Sequence, residues 1–153
     1  MLARIRKSVE EKDQGFTLIE LLVVMIIIGI LSAIAIPVFL SQRAKAQDTA
    51  TKADVSTIGK EIATFYVDNN DTSDLTVAIA SGRYTLNSTT AGVAAQDLGK
   101  VSANVALKTQ NLKTSDGWCI SMTNPKGDKA KAGFKYSAVG GLETIGGTVA
   151  DCS

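Results

Sequence analysis

Gln14-Gly15-Phe16-Thr17-Leu18-Ile19-Glu20 runs straight into Leu21-Leu22-Val23-Val24-Met25-Ile26-Ile27-Ile28-Gly29-Ile30-Leu31 and onward to Leu40. At about 1.5 Å of rise per residue, a helix from Phe16 to Leu40 is long enough to cross about 30 Å of hydrocarbon. Glu20 is the one charged residue in that run. A charge in mid-membrane costs roughly 2.5–3.5 kcal/mol on insertion scales, so Glu20 needs a reason to be there. The default reason is a partner. No other charge lies in the segment, so the partner comes from another chain or from a terminus created by processing.

Composition narrows the function classes. The chain has 153 residues, and removing an apolar N-terminal stalk leaves about 85–100, enough for one small domain with a modest core. The formal charge is +1; residues 1–15 hold four of the basic and three of the acidic residues, so residues 16–153 are neutral. Neutrality gives no electrostatic case for nucleic acid or anionic lipid as a primary partner. There is no His, which removes His-based triads, His metal sites and imidazole pH switching. No phosphate loop, nucleophile elbow or paired carboxylates stand out, and the chain reads as a non-enzyme. A cleaved secretory signal is a competing reading of the apolar run, because Ala33-Ile34-Ala35 and Ala44-Lys45-Ala46 resemble A-x-A cleavage sites. Against it, a signal's apolar region is usually about 7–15 residues long and does not normally carry a Glu near its start.

Beyond Leu40 the helical pattern continues. Ala50, Val55, Ile58, Ile62 and Phe65 recur at spacings of three to five with Lys52, Asp54, Lys60 and Glu61 between them, an amphipathic stripe that Asp68-Asn69-Asn70-Asp71 ends. One helix of about fifty residues would be about 80 Å long. Gly29 and Pro37 interrupt it, and an interior Pro costs about 3 kcal/mol and a hydrogen bond. Residues 71–100, rich in Thr, Ser, Ala, Asn and Gly, read as a loop region with a short strand or turn such as Tyr84-Thr85-Leu86. Alternation of period two then predicts three antiparallel strands, around Val105 and Leu107, around Trp118, Ile120 and Met122, and around Phe134, Tyr136 and Ala138. Ser115-Asp116-Gly117 and Asn124-Pro125-Lys126-Gly127-Asp128 supply the turns, and Leu142–Ile145 a fourth short strand. A helix across that sheet would bury Val55, Ile58, Ile62 and Phe65 against Trp118, Ile120, Phe134 and Tyr136.

Gly15, Phe16 and Glu20, followed by the membrane-length apolar run, resemble the processing site and stalk of type IV pilins and related pseudopilins. The resemblance covers Met1 to about Leu40 closely and the rest in outline. It implies an α+β fold of lollipop form, a long N-terminal helix packed on a small antiparallel sheet head. It divides the chain into a cytoplasmic leader (1–15), a transmembrane and filament-core half of the helix (16–40), an amphipathic half (41–70) and a globular head (71–153). It implies cleavage by a prepilin peptidase between Gly15 and Phe16, N-methylation of Phe16, and polymerisation into a helical surface filament. The alternative is a pseudopilin of a type II secretion or DNA-uptake machine.

The implied partners are further copies of the chain, the peptidase, the assembly machinery in the membrane and minor pilins. The precursor would be a single-pass cytoplasmic-membrane protein with its leader in the cytoplasm, and the mature subunit an extracellular filament component. The Lys/Arg bias agrees only weakly: Arg4, Arg6, Lys7 and Lys12 on one flank face Arg43, Lys45 and Lys52 on the other. Glu20 of one subunit would pair with the Phe16 amine of its neighbour, a head-to-tail contact that repeats without closing. The competing role is a Glu that snorkels to the interface. Gly29 and Pro37 would bracket a stretch that melts in the filament, or else mark an ordinary kink. Cys119 and Cys152 fall in the part placed outside the membrane, where thiols are oxidised. The family often ties its C-terminal segment in this way; two unpaired buried thiols are the alternative.

Other constellations read blandly. Asp68, Asn70, Thr72 and Asp74 have the alternation that opens a calcium loop, but Leu75 stands where Gly is expected and Ile79 where the Glu should be. A helix-ending polar turn is favoured, with no metal and no cofactor. Asn70-Asp71-Thr72 and Asn87-Ser88-Thr89 match the glycosylation pattern by chance. Lys126, Lys129, Lys131 and Lys135 read as a solvated turn, the alternative being contact with DNA or an anionic surface. No nucleic-acid or small-molecule ligand is indicated.

Overall fold

The computed structural model describes residues 15–69, 75–89, 94–147 and 149–152. The predicted leader (residues 1–15) except Gly15, and the polar turn at 70–74, with its calcium-like spacing and first glycosylation pattern, lie outside the described residues. One helix, α1 (Leu18–Asn69), is followed by seven strands. These are β1 (Leu75–Ala80), β2 (Arg83–Ser88), β3 (Gln96–Lys100), β4 (Ala106–Asn111), β5 (Cys119–Thr123), β6 (Phe134–Ser137) and β7 (Gly141–Thr144). The fold is α+β, one long N-terminal helix with antiparallel sheets, and it divides into two compact units at Leu40/Ser41.

In the first unit the large apolar side chains of α1 are all exposed, from Leu18 at 82% to Leu40 at 57%. The helix is long and apolar enough to cross a membrane. It is unbroken through Gly29 and Pro37.

In the second unit α1 has one buried stripe: Asp48, Thr51, Val55, Ile58, Gly59, Ile62, Phe65 and Tyr66, spaced by three and four as a helix face requires. The stripe ends where Asn69 Nδ2 donates to the Phe65 carbonyl at 2.9 Å. Val55, Ile58, Ile62 and Phe65 share one core with Trp118, Ile120, Met122 and Phe134, as the periodicity predicts; Tyr136 is only partly buried there. Gly59 permits the close approach, because a Cβ there would meet the Tyr136 ring at 2.5 Å. Tyr136 in turn stacks on Trp118, with centroids 5.9 Å apart.

The strands form two sheets, β1-β2-β3 and β4-β5-β6-β7, with every pairing antiparallel. The second contains the three predicted strands and, as β7, the fourth. Ala138 falls just past β6 and is exposed. The first sheet corrects the expectation of a mostly loop region over 71–100, in which the short strand at Tyr84-Thr85-Leu86 falls within β2. Leu75 and Val77 in β1, and Tyr84 and Leu86 in β2, are buried while most of their neighbours along the strand are exposed, a period of two that the polar composition obscures. Ser81 and Gly82 have φ of 51° and 73°, the left-handed pair that a two-residue hairpin needs. Gln110 joins the sheets: its side chain accepts from the Val77 N–H at 2.8 Å and donates to the Val77 carbonyl at 3.0 Å, as a strand backbone would. Beside it the Leu75 N–H donates to the Leu112 carbonyl, which also accepts from the Tyr66 hydroxyl at 2.6 Å.

Candidate processing and assembly site

Gly15 and Phe16 precede the helix, with open space around the Gly15 Cα and Phe16 88% exposed. Thr17 is the helix N-cap. The Glu20 N–H donates to Thr17 Oγ1 at 3.2 Å, and Glu20 Oε2 accepts from the Thr17 N–H at 3.0 Å and from its hydroxyl at 2.9 Å. This reciprocal pair is a capping box, which satisfies donors that a helix start otherwise leaves orphaned.

Glu20 therefore has hydrogen-bond partners within its own chain, which the sequence reading did not foresee. They are dipoles, not a counter-charge, so a cation can still approach the carboxylate. Sequence reasoning passed over Thr17, although Thr17-Leu18-Ile19-Glu20 has the T-x-x-E spacing of a capping box ahead of an apolar run.

Of the other predicted positions, Gly29 and Pro37 lie inside α1, and Gly29 has space for a side chain. Cys119 and Cys152 are joined as a disulfide with Cα atoms 5.6 Å apart, tying the C-terminal segment to β5. Next to it Asp151 accepts from Lys108 Nζ at 2.8 Å, from the Cys152 N–H at 2.9 Å and from the Thr109 hydroxyl. Burial pushes this carboxyl up, but those donors outweigh it and hold the group well below the usual carboxylate range. Among the described residues no group of His, Cys, Asp and Glu could hold a metal ion.

Two carboxylates on α1 fix the helix to the rest of its unit, and no sequence signal marks either. Asp48, 7% exposed, accepts from the N–H groups of Asp128, Lys129 and Ala130 at 2.9, 3.2 and 2.9 Å. Burial opposes its ionisation, and the three donors reverse the balance, leaving its carboxyl below the ordinary value. Asp54 accepts from the Tyr84 hydroxyl and the Ser102 N–H, both at 2.9 Å, and from the Ser102 hydroxyl at 2.7 Å. Burial first, and then this carboxylate, push the Tyr84 phenol far up, so that it stays a hydrogen-bond donor. The partners lie 30–82 residues away in the chain, beyond the reach of local patterns.

The sequence profile of the prokaryotic N-terminal methylation motif matches residues 12–36. The type IV wide pilus major component PilA4 of Thermus thermophilus is 43% identical over 81 residues, covering 52% of this chain and 60% of that protein. The type II secretion system core protein G of Pseudomonas aeruginosa is 38% identical over 58 residues, 38% of this chain and 41% of that one. The type IV major pilin protein PilA of Myxococcus xanthus is 38% identical over 63 residues, 41% of this chain and 29% of that one. The chain thus spans 60% or less of the length of these relatives. No solved structure gives a significant match. The methylation motif, the long apolar helix behind it, the antiparallel sheets and these likenesses make the chain similar to type IV pilins and pseudopilins.

Proposed function

We propose that this chain is the precursor of a type IV pilus subunit, cut between Gly15 and Phe16, methylated on the Phe16 amine and polymerised with copies of itself. The observation that carries the reading is the exposed apolar helix to Leu40, entered through the Gly15-Phe16 peptide and bearing a single carboxylate. Such a surface is stable in lipid or against other copies of itself, and not in water. Transfer from the first environment to the second is what polymerisation from a membrane requires. Cleavage creates a cation at Phe16, four residues before Glu20. A pair between that amine and the Glu20 of a neighbour removes two low-dielectric charges together, which fixes the axial register. The partners are then the peptidase, the membrane assembly machinery and minor subunits. The precursor spans the cytoplasmic membrane with its leader inside, and the mature subunit is extracellular. No step in this role asks for catalysis by the chain itself.

A second reading is a pseudopilin, supported by the likeness to a type II secretion core protein G. Intact mass and N-terminal sequence of the protein in sheared surface filaments test both. A chain beginning at N-methyl-Phe16 in abundance there supports the pilus reading. The same chain confined to membranes supports the pseudopilin. A chain beginning at Gln47, after Ala44-Lys45-Ala46, overturns both.

A further inference from the structure

The lysines after β5 are held in a defined place. Asn124 Nδ2 donates to Gln47 Oε1 at 2.9 Å, and Asp48 takes the N–H groups of Asp128, Lys129 and Ala130. Gly127 sits so close that a Cβ there would collide with Asp48 Oδ1 and with Ala130. The turn is thereby fastened to α1 at residues 47 and 48, with Lys126, Lys129 and Lys131 exposed on its outer side. None of these three has an ion-pair partner among the described residues, whereas Arg83, Lys108 and Lys135 each have one. On α1, Arg43, Lys45 and Lys52 lie one helical turn from Gln47 or Asp48. Three basic residues of the turn and three of α1 thus belong to the fastened elements, Lys52 with its Nζ over the Phe134 ring, against two acidic ones, Asp128 and the inward-turned Asp48. The chain's neutrality is an average that conceals this patch.

Its position along α1 points to the partner. Asp48 follows Leu40, the last residue of the apolar run, by eight residues, so the chain tethers the patch within about 29 Å of the membrane surface. The polar headgroup layer extends roughly 5–7 Å beyond the hydrocarbon, and the Debye length is about 8 Å at physiological salt. We propose that the basic turn at Lys126–Lys131, with the adjoining face of α1, docks on anionic phospholipid headgroups while the chain is anchored in the membrane. Single strands of nucleic acid fit less well, because no aromatic ring is exposed among the described residues of 41–153 for bases to stack on. The docking rests on the reading that residues 16–40 span the membrane. It gives a function to the basic flank that blurs the charge bias across the span: the flank holds the subunit at the surface until assembly lifts it away.

The test uses the full chain in nanodiscs of phosphatidylcholine, with or without about one third phosphatidylglycerol, and a paramagnetic lanthanide chelate on the lipid headgroups. The expected result is at least about fivefold more relaxation enhancement at the amides of Gly127–Lys131 in the anionic discs. The difference should vanish in the triple variant K126Q/K129Q/K131Q and at about 0.5 M salt. All three side chains are exposed, and unchanged Val55 and Ile62 signals would show the variant folded. Equal enhancement in both discs, or none, overturns the proposal. A turn that ignores headgroups but shifts with a short DNA duplex overturns it in favour of nucleic acid. Amide exchange at Leu21–Ile36 reports insertion separately. An exposed helix overturns both docking and anchoring, and a protected helix with a silent turn overturns docking alone.

Discussion

At position 20 a glutamine keeps what the capping box uses, an acceptor for the Thr17 N–H, and gives up the charge that a neighbour's amine would seek. E20Q and E20A therefore separate two roles of one side chain. If charge pairing drives assembly, both variants lose surface filaments by at least tenfold while membrane levels of the cleaved chain hold, counted by immunoblot of sheared and membrane fractions. E20Q filaments at wild-type yield would assign Glu20 to the cap alone. Asp48 acts at the same scale on stability. Its carboxyl and that of Asp151 lie below their ordinary values in the fold, so the unfolded chain binds protons first, near pH 3.9. Their contribution is complete above about pH 5 and is lost as pH falls through 4 toward the folded values. Urea midpoints of the full chain in detergent should be level from about pH 5 to 8 and fall below 4. D48N should flatten part of that fall, and D48A, which strands three N–H donors, should cost about 2–4 kcal/mol at neutral pH.

Between elements, the disulfide and Gly59 carry the clearest consequences. Cys119 and Cys152 are separated by 33 residues, and on the loop-entropy estimate their bond contributes about 3–4 kcal/mol. Reductant, or a double Ser substitution, should lower the head's Tm by about 15 °C or more in a calorimetric scan. G59A gains about 1 kcal/mol of helix propensity but drives a methyl into the Tyr136 ring, which the Trp118 stack holds in place. Overpacking at about 1–3 kcal/mol wins, and a lower urea midpoint with an unchanged slope is the expected reading. The stripe on α1 and the strands β4 to β7 were legible in the sequence because their cores alternate large apolar with polar residues at the helix and strand periods. β1 and β3 were not, and β2 only at Tyr84-Thr85-Leu86, because Thr, Ala and Asn fill the solvent face and weaken the contrast around Leu75, Val77, Tyr84 and Leu86. At the proposed processing site Gly15, Phe16 and Glu20 stood out by a charge in an apolar run, which is a local signal. Thr17 was equally local and was missed. Asp48, Asp54 and Gln110 act only through contacts made by folding, so no window of sequence contains their partners.

For the molecule as a whole, the proposed pilus role asks one apolar helix to suit two surroundings. In lipid, α1 needs every backbone group bonded, since an unsatisfied one costs several kcal/mol in hydrocarbon. The described helix continues through Gly29 and past Pro37, whose ring removes the N–H that the Ala33 carbonyl would accept and disfavours helix in the residue before it. In a filament the neighbours are other copies, and their side chains and carbonyls can bond what lipid cannot. Local unwinding is affordable only there, and it would begin where helix is already weakest, between Gly29 and Pro37. G29A with P37A strengthens the helix and leaves its apolar length unchanged, so membrane insertion and cleavage after Gly15 should proceed as before. The predicted effect falls on the polymer: fewer surface filaments, or filaments with a greater rise per subunit lost, visible by electron microscopy of sheared material. A reconstruction of wild-type filaments with unbroken helical density from residue 29 to residue 37 would refute the unwinding and leave Pro37 as a tolerated kink. Broken density there in the wild type, closed in the double variant, would show that the chain keeps a marginal turn in its anchor because the polymer needs it.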